Sequence, residues 1–166
     1  MEVSISPTPP SSEATETRTP VYPLPKVLLG KVEQADYNKW LKRKAAAHLK
    51  RDRKRWKKAV ITGVGYKQAI HDAVVKHTGV DPYSGKDLNW KQLHTYNNEQ
   101  SKAGGSTYKR DFNQLPTIDH VNNEATENPV FEILSWEVND AKNDMSHDSF
   151  VELCKTIAAH KEKKQP

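Results

Sequence analysis

The chain has one cysteine, Cys154, in 166 residues. No disulfide can close within it, and no cysteine zinc site can be built. Such cysteine poverty agrees with a reducing, cytoplasmic interior. No apolar run approaches the ~20 residues needed to span a bilayer. The N-terminus also lacks the basic start and apolar core of a secretory signal, so no membrane partner is expected. Nothing in the sequence calls for a small-molecule cofactor. Apolar residues make up 35% of the chain and charged residues 28%, a polar balance that suits a partly solvated chain. The length fits one ordinary domain with an appended arm and allows a modest core.

What the chain does have is positive charge, unevenly spread. Residues 39–58 hold eleven Lys or Arg against a single acid, Asp52. That segment carries +10 in a chain whose total is +5, so the remainder is acidic by 5. A concentrated basic stripe suits a polyanion, nucleic acid above all. The alternative is a solvated helix face with no partner.

Residues 1–20 are rich in Pro, Ser, Thr and Glu and are expected to be disordered. A single domain is then expected over 21–166. Its first part, 34–79, is helical and basic. One helix runs from about Gln34 to Lys58, with Tyr37, Leu41, Ala45, His48, Leu49 and Trp56 as a narrow apolar stripe. A second carries Tyr66, Ala69, Ile70, Ala73, Val74 and His77 on one face, with Gly79 where a C-cap glycine belongs. His71 falls off that stripe and is expected to be exposed. Residues 80–115 read as a linker and loop region. It holds a tight turn at Asp81-Pro82-Tyr83-Ser84-Gly85, a short helix over Leu88–Gln100 and a flexible loop at 102–106. Strands are expected at Ile118–Val121 and Val130–Leu134, joined by a polar loop, Asn122–Pro129. Ser135 can cap a helix starting at Trp136, with Glu137 in its first turn, and Ser146 can cap a final packing helix over 146–160. Phe150, Leu153, Cys154 and Ile157 form the apolar face of that last helix, which makes Cys154 a small core residue. The fold class is therefore α+β. The four tryptophans are read as core residues, and His48, His94, His147 and His160 as surface or packing residues.

Within 116–145, an acid and a histidine stand side by side, Asp119-His120, and two amides, Asn139 and Asn143, lie four residues apart on a helix. Lys142 projects near Asn139. Phosphodiester hydrolysis wants a water deprotonated near neutral pH, which imidazole suits, and a cation on the scissile phosphate. Magnesium prefers oxygen ligands and is often held by one or two carboxylates plus water and phosphate. Asp119, Asn139 and Asn143 offer such oxygens. The same residues also suit structural hydrogen bonding and helix capping, so spacing alone leaves both readings open.

Asp119-His120, the central strand and Asn139-x-x-Lys142-Asn143 resemble the HNH endonuclease motif, the ββα-metal finger. The chain is similar to small bacterial HNH proteins in its Asp81–Gly85 turn, its Pro116–His120 strand and its Trp136–Lys142 helix. The likeness extends over most of 21–160, including 40–45 and 51–55. The resemblance implies a metal-dependent endonuclease acting on nucleic acid, duplex DNA foremost. In it His120 would be the general base, Asp119 and Asn139 metal ligands, and Asn143 a ligand where many members place His. Lys142 would contact phosphate. Arg43, Lys44, Lys50, Arg51, Arg53, Lys54 and Arg55, with Lys109 and Arg110, would bind the backbone. The expected ion is Mg2+, with Mn2+ an alternative. There are two departures. Val130 stands where the middle Asn of the motif usually orients the base, with Asn128 as a nearby candidate. No Cys-x-x-Cys zinc brace exists, so Tyr83, Trp90 and Trp136 are expected to replace it by packing. Val130 favours an alternative, a catalytically weak or inactive HNH-fold nucleic-acid binder; a basic RNA-associated protein is another.

Overall fold

The computed structural model describes residues 21–56, 62–121 and 128–163. The expected disordered tail, Lys57 and Lys58 of the basic run, and most of the loop between the strands lie outside them. Five helices and one two-stranded antiparallel sheet make up the described chain, an α+β arrangement.

Helix α1 (Gln34–Trp56) buries Tyr37, Trp40, Leu41, Ala45, His48 and Asp52. These recur every three or four residues, so they form one stripe while the basic side chains take the rest of the cylinder. Helix α2 (Gly63–Lys76) starts where the Thr62 hydroxyl accepts the Gly65 amide, and it buries Tyr66, Ile70, His71 and Val74. His71 is thus a correction. It is buried, not exposed, because its Nδ1 meets the Tyr37 hydroxyl at 2.8 Å between the two helices. His77 caps α2, and its Nδ1 accepts the amide of Gly79, which needs a positive φ of 103°.

Residues 80–115 are more ordered than a linker. The Asp81–Gly85 turn closes with Gly85 N–H on Asp81 C=O, and a short 3-10 segment follows at Trp90–His94. Helix α3 (Asn98–Arg110) then runs through the stretch expected to be a flexible loop. The Asn97 side chain caps it by accepting the Glu99 and Gln100 amides, and the chain kinks at Gly105 (φ 54°, ψ −134°). Past the kink, Tyr108 packs on Phe112 and Tyr96, and Tyr96 on Trp136. That aromatic cluster offsets the poor helix propensity of the glycines.

Strands β1 (Pro116–His120) and β2 (Phe131–Ser135) pair with Ile118 opposite Ile133, Asp119 opposite Glu132 and His120 opposite Phe131. Cross-strand partners share a face. Ile118, Ile133 and Phe131 join the core formed with Leu28, Tyr37, Trp40, Leu41, Tyr66, Ile70, Val74 and Trp90. Asp119 and Glu132 lie on the other face, beneath helix α4 (Trp136–Lys142). The Ser135 side chain caps α4 by accepting the Val138 amide.

The brace for this hairpin-and-helix unit is a carboxylate. Asp81 is fully buried; its Oδ1 accepts the Tyr83 and Ser84 amides and the Ser84 hydroxyl, and its Oδ2 accepts the Ser135 amide at 2.6 Å. One side chain thereby ties the turn to the β2–α4 junction. The three aromatics expected to take that part serve separate clusters: Tyr83 with His147 and Phe150, Trp90 with Trp40 and His77, and Trp136 with Tyr96.

Helix α5 (His147–Glu162) is capped by Ser146 as expected, but it does not pack as expected. No residue on it is buried; Leu153 is 43% and Ile157 52% exposed, and Cys154 is exposed rather than in the core. Phe150 is its only member of the apolar face with an aromatic partner among the described residues, Tyr83.

Burial alone would raise the Asp81 pKa, but the hydrogen bonds from Ser135 and Ser84 outweigh it and hold the carboxyl below its ordinary 3.8. A depressed folded pKa stabilises the fold above 3.8, and that stability is lost as pH falls through the folded value. Asp81→Ala is expected to cost about 2–3 kcal/mol near neutral pH, because it leaves the Ser135 amide buried without its acceptor. Urea midpoints should fall accordingly, and the wild-type advantage should shrink on acidification below pH 3.8.

Candidate active site

A cleft of about 740 Å³ opens between the C-terminal half of α1, the end of β1 and the α4–α5 junction. Asp119, His120, Asn139 and Asn143 all line it, with Arg51, Lys54 and Arg55 on the α1 wall. Successive strand residues point to opposite faces. Asp119 and His120 nevertheless border one space, since the strand ends there and the cleft wraps its tip. Helix α4 ends at Lys142, and Asn143 leaves it with φ 49° and ψ −127°. The two asparagines expected on one helix face are therefore a helical residue and its C-cap, both at the cleft.

His120 is 14% exposed and stands at the centre of an aromatic cage, against Phe131 (ring centroids 4.8 Å apart), His48 (5.2 Å) and the edge of Trp56 (6.0 Å). Its Nε2 is 2.9 Å from Asp52 Oδ2, a carboxylate only 4% exposed. The same oxygen accepts the Tyr66 hydroxyl. Burial and this bond raise the Tyr66 pKa, so the phenol stays protonated and donates. His120 Nδ1 makes no hydrogen bond among the described residues and is the nitrogen left for a substrate or water.

His48, expected as a surface or packing residue, is buried at the cleft wall. Burial lowers its pKa far below the ordinary imidazole value, with Arg51, His120 and Lys44 adding to the effect. It stays neutral, and the Arg51 guanidinium lies 2.9–3.0 Å from its ring nitrogens, where the unprotonated one accepts from it.

On the other face of the hairpin, Lys142 Nζ lies 2.8 Å from Asp119 Oδ2. Expected at a phosphate, this lysine is instead 8% exposed and paired with the carboxylate expected to hold the metal. Asp119 Oδ1 makes no hydrogen bond among the described residues. Glu132, across the strands, has its pKa raised by burial and by Asp119.

The expected backbone-binding residues do not all line one cavity. Arg51, Lys54 and Arg55 line the cleft, and Arg55 also reaches Asp144 across its mouth at 3.1 Å. Arg43 and Lys44 border a separate groove with Trp40, Leu93 and Tyr96, where Arg43 donates to the Leu93 carbonyl. Burial, then Arg43 and Arg51, lowers the Lys44 pKa to about 8. Lys50 and Arg53 are exposed and line neither space. Lys109 and Arg110 end α3, away from the cleft lining. Asn128, the candidate for orienting the base, is exposed, and His120 Nε2 is bonded to Asp52. Val130 turns its side chain to solvent, and its carbonyl accepts the Val121 amide.

Asp52 and Tyr66 are the site residues that sequence reasoning missed. The available signal was the one acid inside the basic run, spaced i+4 from His48. Compared with known proteins, the chain matches no family model, no curated protein and no solved structure.

Breaking a buried ion pair leaves its partner uncompensated. Lys142→Met is expected to cost on the order of 2 kcal/mol, less than the ~3–5 kcal/mol of a fully buried pair because Asp119 keeps some contact with water. Pairing it with Asp119→Asn should recover most of the loss in urea unfolding.

Proposed function

We propose that this chain is a metal-dependent endonuclease of the HNH type, hydrolysing phosphodiester bonds in nucleic acid, with duplex DNA the first substrate to test. The observation that carries the reading is the cleft in which His120, Asp119, Asn139 and Asn143 meet three guanidinium or ammonium groups of α1.

The donor set decides whether a divalent ion fits. Among the described residues no three His, Cys, Asp or Glu side chains gather as a metal cage. The available set is one carboxylate oxygen of Asp119 and the amide oxygens of Asn139 and Asn143. All are hard oxygens, and sparse protein ligation completed by water and phosphate is the usual magnesium arrangement. The residues thus fit Mg2+ or Mn2+ held weakly before substrate arrives, and zinc poorly. When bound, such an ion supplies charge neutralisation at the scissile phosphate. In this reading His120 Nδ1 takes a proton from water, the water oxygen bonds to phosphorus, and the bond to the leaving oxygen breaks with its electron pair. Arg51, Lys54 and Arg55 hold the flanking phosphates without reading sequence.

The Lys142–Asp119 pair favours a second reading, a nucleic-acid binder of this fold with weak or no catalysis, because a lysine already neutralises the principal ligand.

Incubation of supercoiled plasmid with Mg2+ should produce nicked or linear product, and chelator should stop it. His120→Ala should lower the rate by about 10²–10⁴-fold while leaving binding intact. Equal cleavage by that variant removes His120 as base; binding without cleavage in every metal selects the second reading.

Phosphate contacts also set salt dependence. Replacing Arg51 and Lys54 together by Ala should lower the slope of log affinity against log salt by about 2 on duplex DNA. Replacing Arg43 and Lys44, which border the other groove, should change it less. Electrophoretic mobility shifts at several salt concentrations measure both.

A further inference from the structure

We infer that Asp52, supported by Tyr66, is the positioning residue for His120, fixing which imidazole nitrogen carries the proton; this rests on the proposal that His120 acts as a base. The motif position that usually orients the base holds Val130, whose side chain faces solvent. The structure supplies the function from elsewhere: a carboxylate 68 residues upstream in the chain, on another element, bonded to Nε2 at 2.9 Å.

Three features make this a built device. Asp52 is buried, and an acceptor-only group there must be fully hydrogen-bonded. Its Oδ2 receives two donors, the His120 ring and the Tyr66 hydroxyl, from β1 and α2. The ring cannot turn freely, because Phe131, His48 and Trp56 pack around it. A carboxylate on Nε2 selects the tautomer protonated there, and Nδ1 is then left as the basic nitrogen. The groups against the imidazole are Asp52, the neutral His48 and Trp56 of α1 and Phe131 of β2; Tyr66 and Arg51 stand behind Asp52 and His48, and the Asp119–Lys142 pair lies on the other face of the hairpin. Among them Asp52 is the one that both carries negative charge and bonds the ring.

The two halves of the inference have separate readouts. In the full chain at a pH above the ordinary imidazole range, long-range nitrogen–proton NMR of the His120 ring should report the Nε2–H tautomer. Asp52→Ala and Asp52→Asn should shift that population toward Nδ1–H, with Ala shifting it further. In cleavage of an oligonucleotide duplex with Mg2+, Asp52→Ala should lower kcat by about 10²-fold or more with KM changed under about threefold, Asp52→Asn should be intermediate, and Tyr66→Phe milder still. An unchanged tautomer in both Asp52 variants overturns the inference, whatever their activity. So does an Asp52→Ala enzyme that cuts at the wild-type rate. If the wild-type chain cuts nothing while the tautomer shifts as expected, the positioning stands and the endonuclease reading falls. Should Asp52→Ala fail to fold, judged by far-ultraviolet circular dichroism, Asp52→Asn and Tyr66→Phe carry both measurements.

Discussion

A buried carboxylate with two donors holds the centre of this molecule. Asp52 comes from α1, Tyr66 from α2 and His120 from β1, and they meet at the inner wall of the cleft, where the carboxylate is only 4% exposed. An ionised side chain so placed is tolerated only while its acceptors are filled. The requirement couples elements far apart in sequence: the helix pair must dock on the hairpin in the register that brings the hydroxyl and the imidazole to the same oxygen. The apolar core formed by Tyr37, Trp40, Ile70, Ile118 and Ile133 supplies most of the burial energy, which is largely non-directional. The polar contact adds direction to it.

Two carboxylates divide the structural work of the hairpin. Asp52 fixes the tip of β1 from the core face, and Asp81 fixes the β2–α4 junction from the turn at 81–85. Asp119, between them, is engaged by Lys142. Two parts of the cleft wall, at Asp52–His120 and at Asp119–Lys142, are therefore held by polar contacts. Such preorganisation is what a catalytic or binding constellation requires.

Periodicity in the sequence shows the elements well and their relations poorly. The stripe Tyr37, Leu41, Ala45, His48 and the face Tyr66, Ile70, Val74 predict the two long helices, and alternating residues predict both strands to within a residue or two. Ser135 and Ser146 mark helix starts because a cap is a local interaction. What fails is non-local. Gly104 and Gly105 read as a loop because the aromatic cluster of Tyr96, Tyr108, Phe112 and Trp136 is invisible along the chain. Phe150, Leu153, Cys154 and Ile157 have helical spacing, but spacing cannot say whether anything covers the face. At the site, adjacency in sequence finds Asp119 and His120 and spacing finds Asn139 and Asn143. Asp52 escapes because its surroundings are Lys and Arg, and nothing local distinguishes a core-facing acid from one balancing its neighbours.

The geometry of α1 has a mechanical corollary. Asp52 turns inward to Tyr66 and His120 at the cleft's inner wall while Arg51, Lys54 and Arg55 border the same cleft, all within little more than one helical turn. Because each residue advances an α-helix by 1.5 Å and about 100°, these side chains keep a fixed phase with one another. Any ligand that rotated or slid the helix would drag the carboxylate off the imidazole. Placement of the cleft-facing cations and alignment of the ring are thus one degree of freedom, so the helix acts as a rigid gauge between its basic side chains and the histidine.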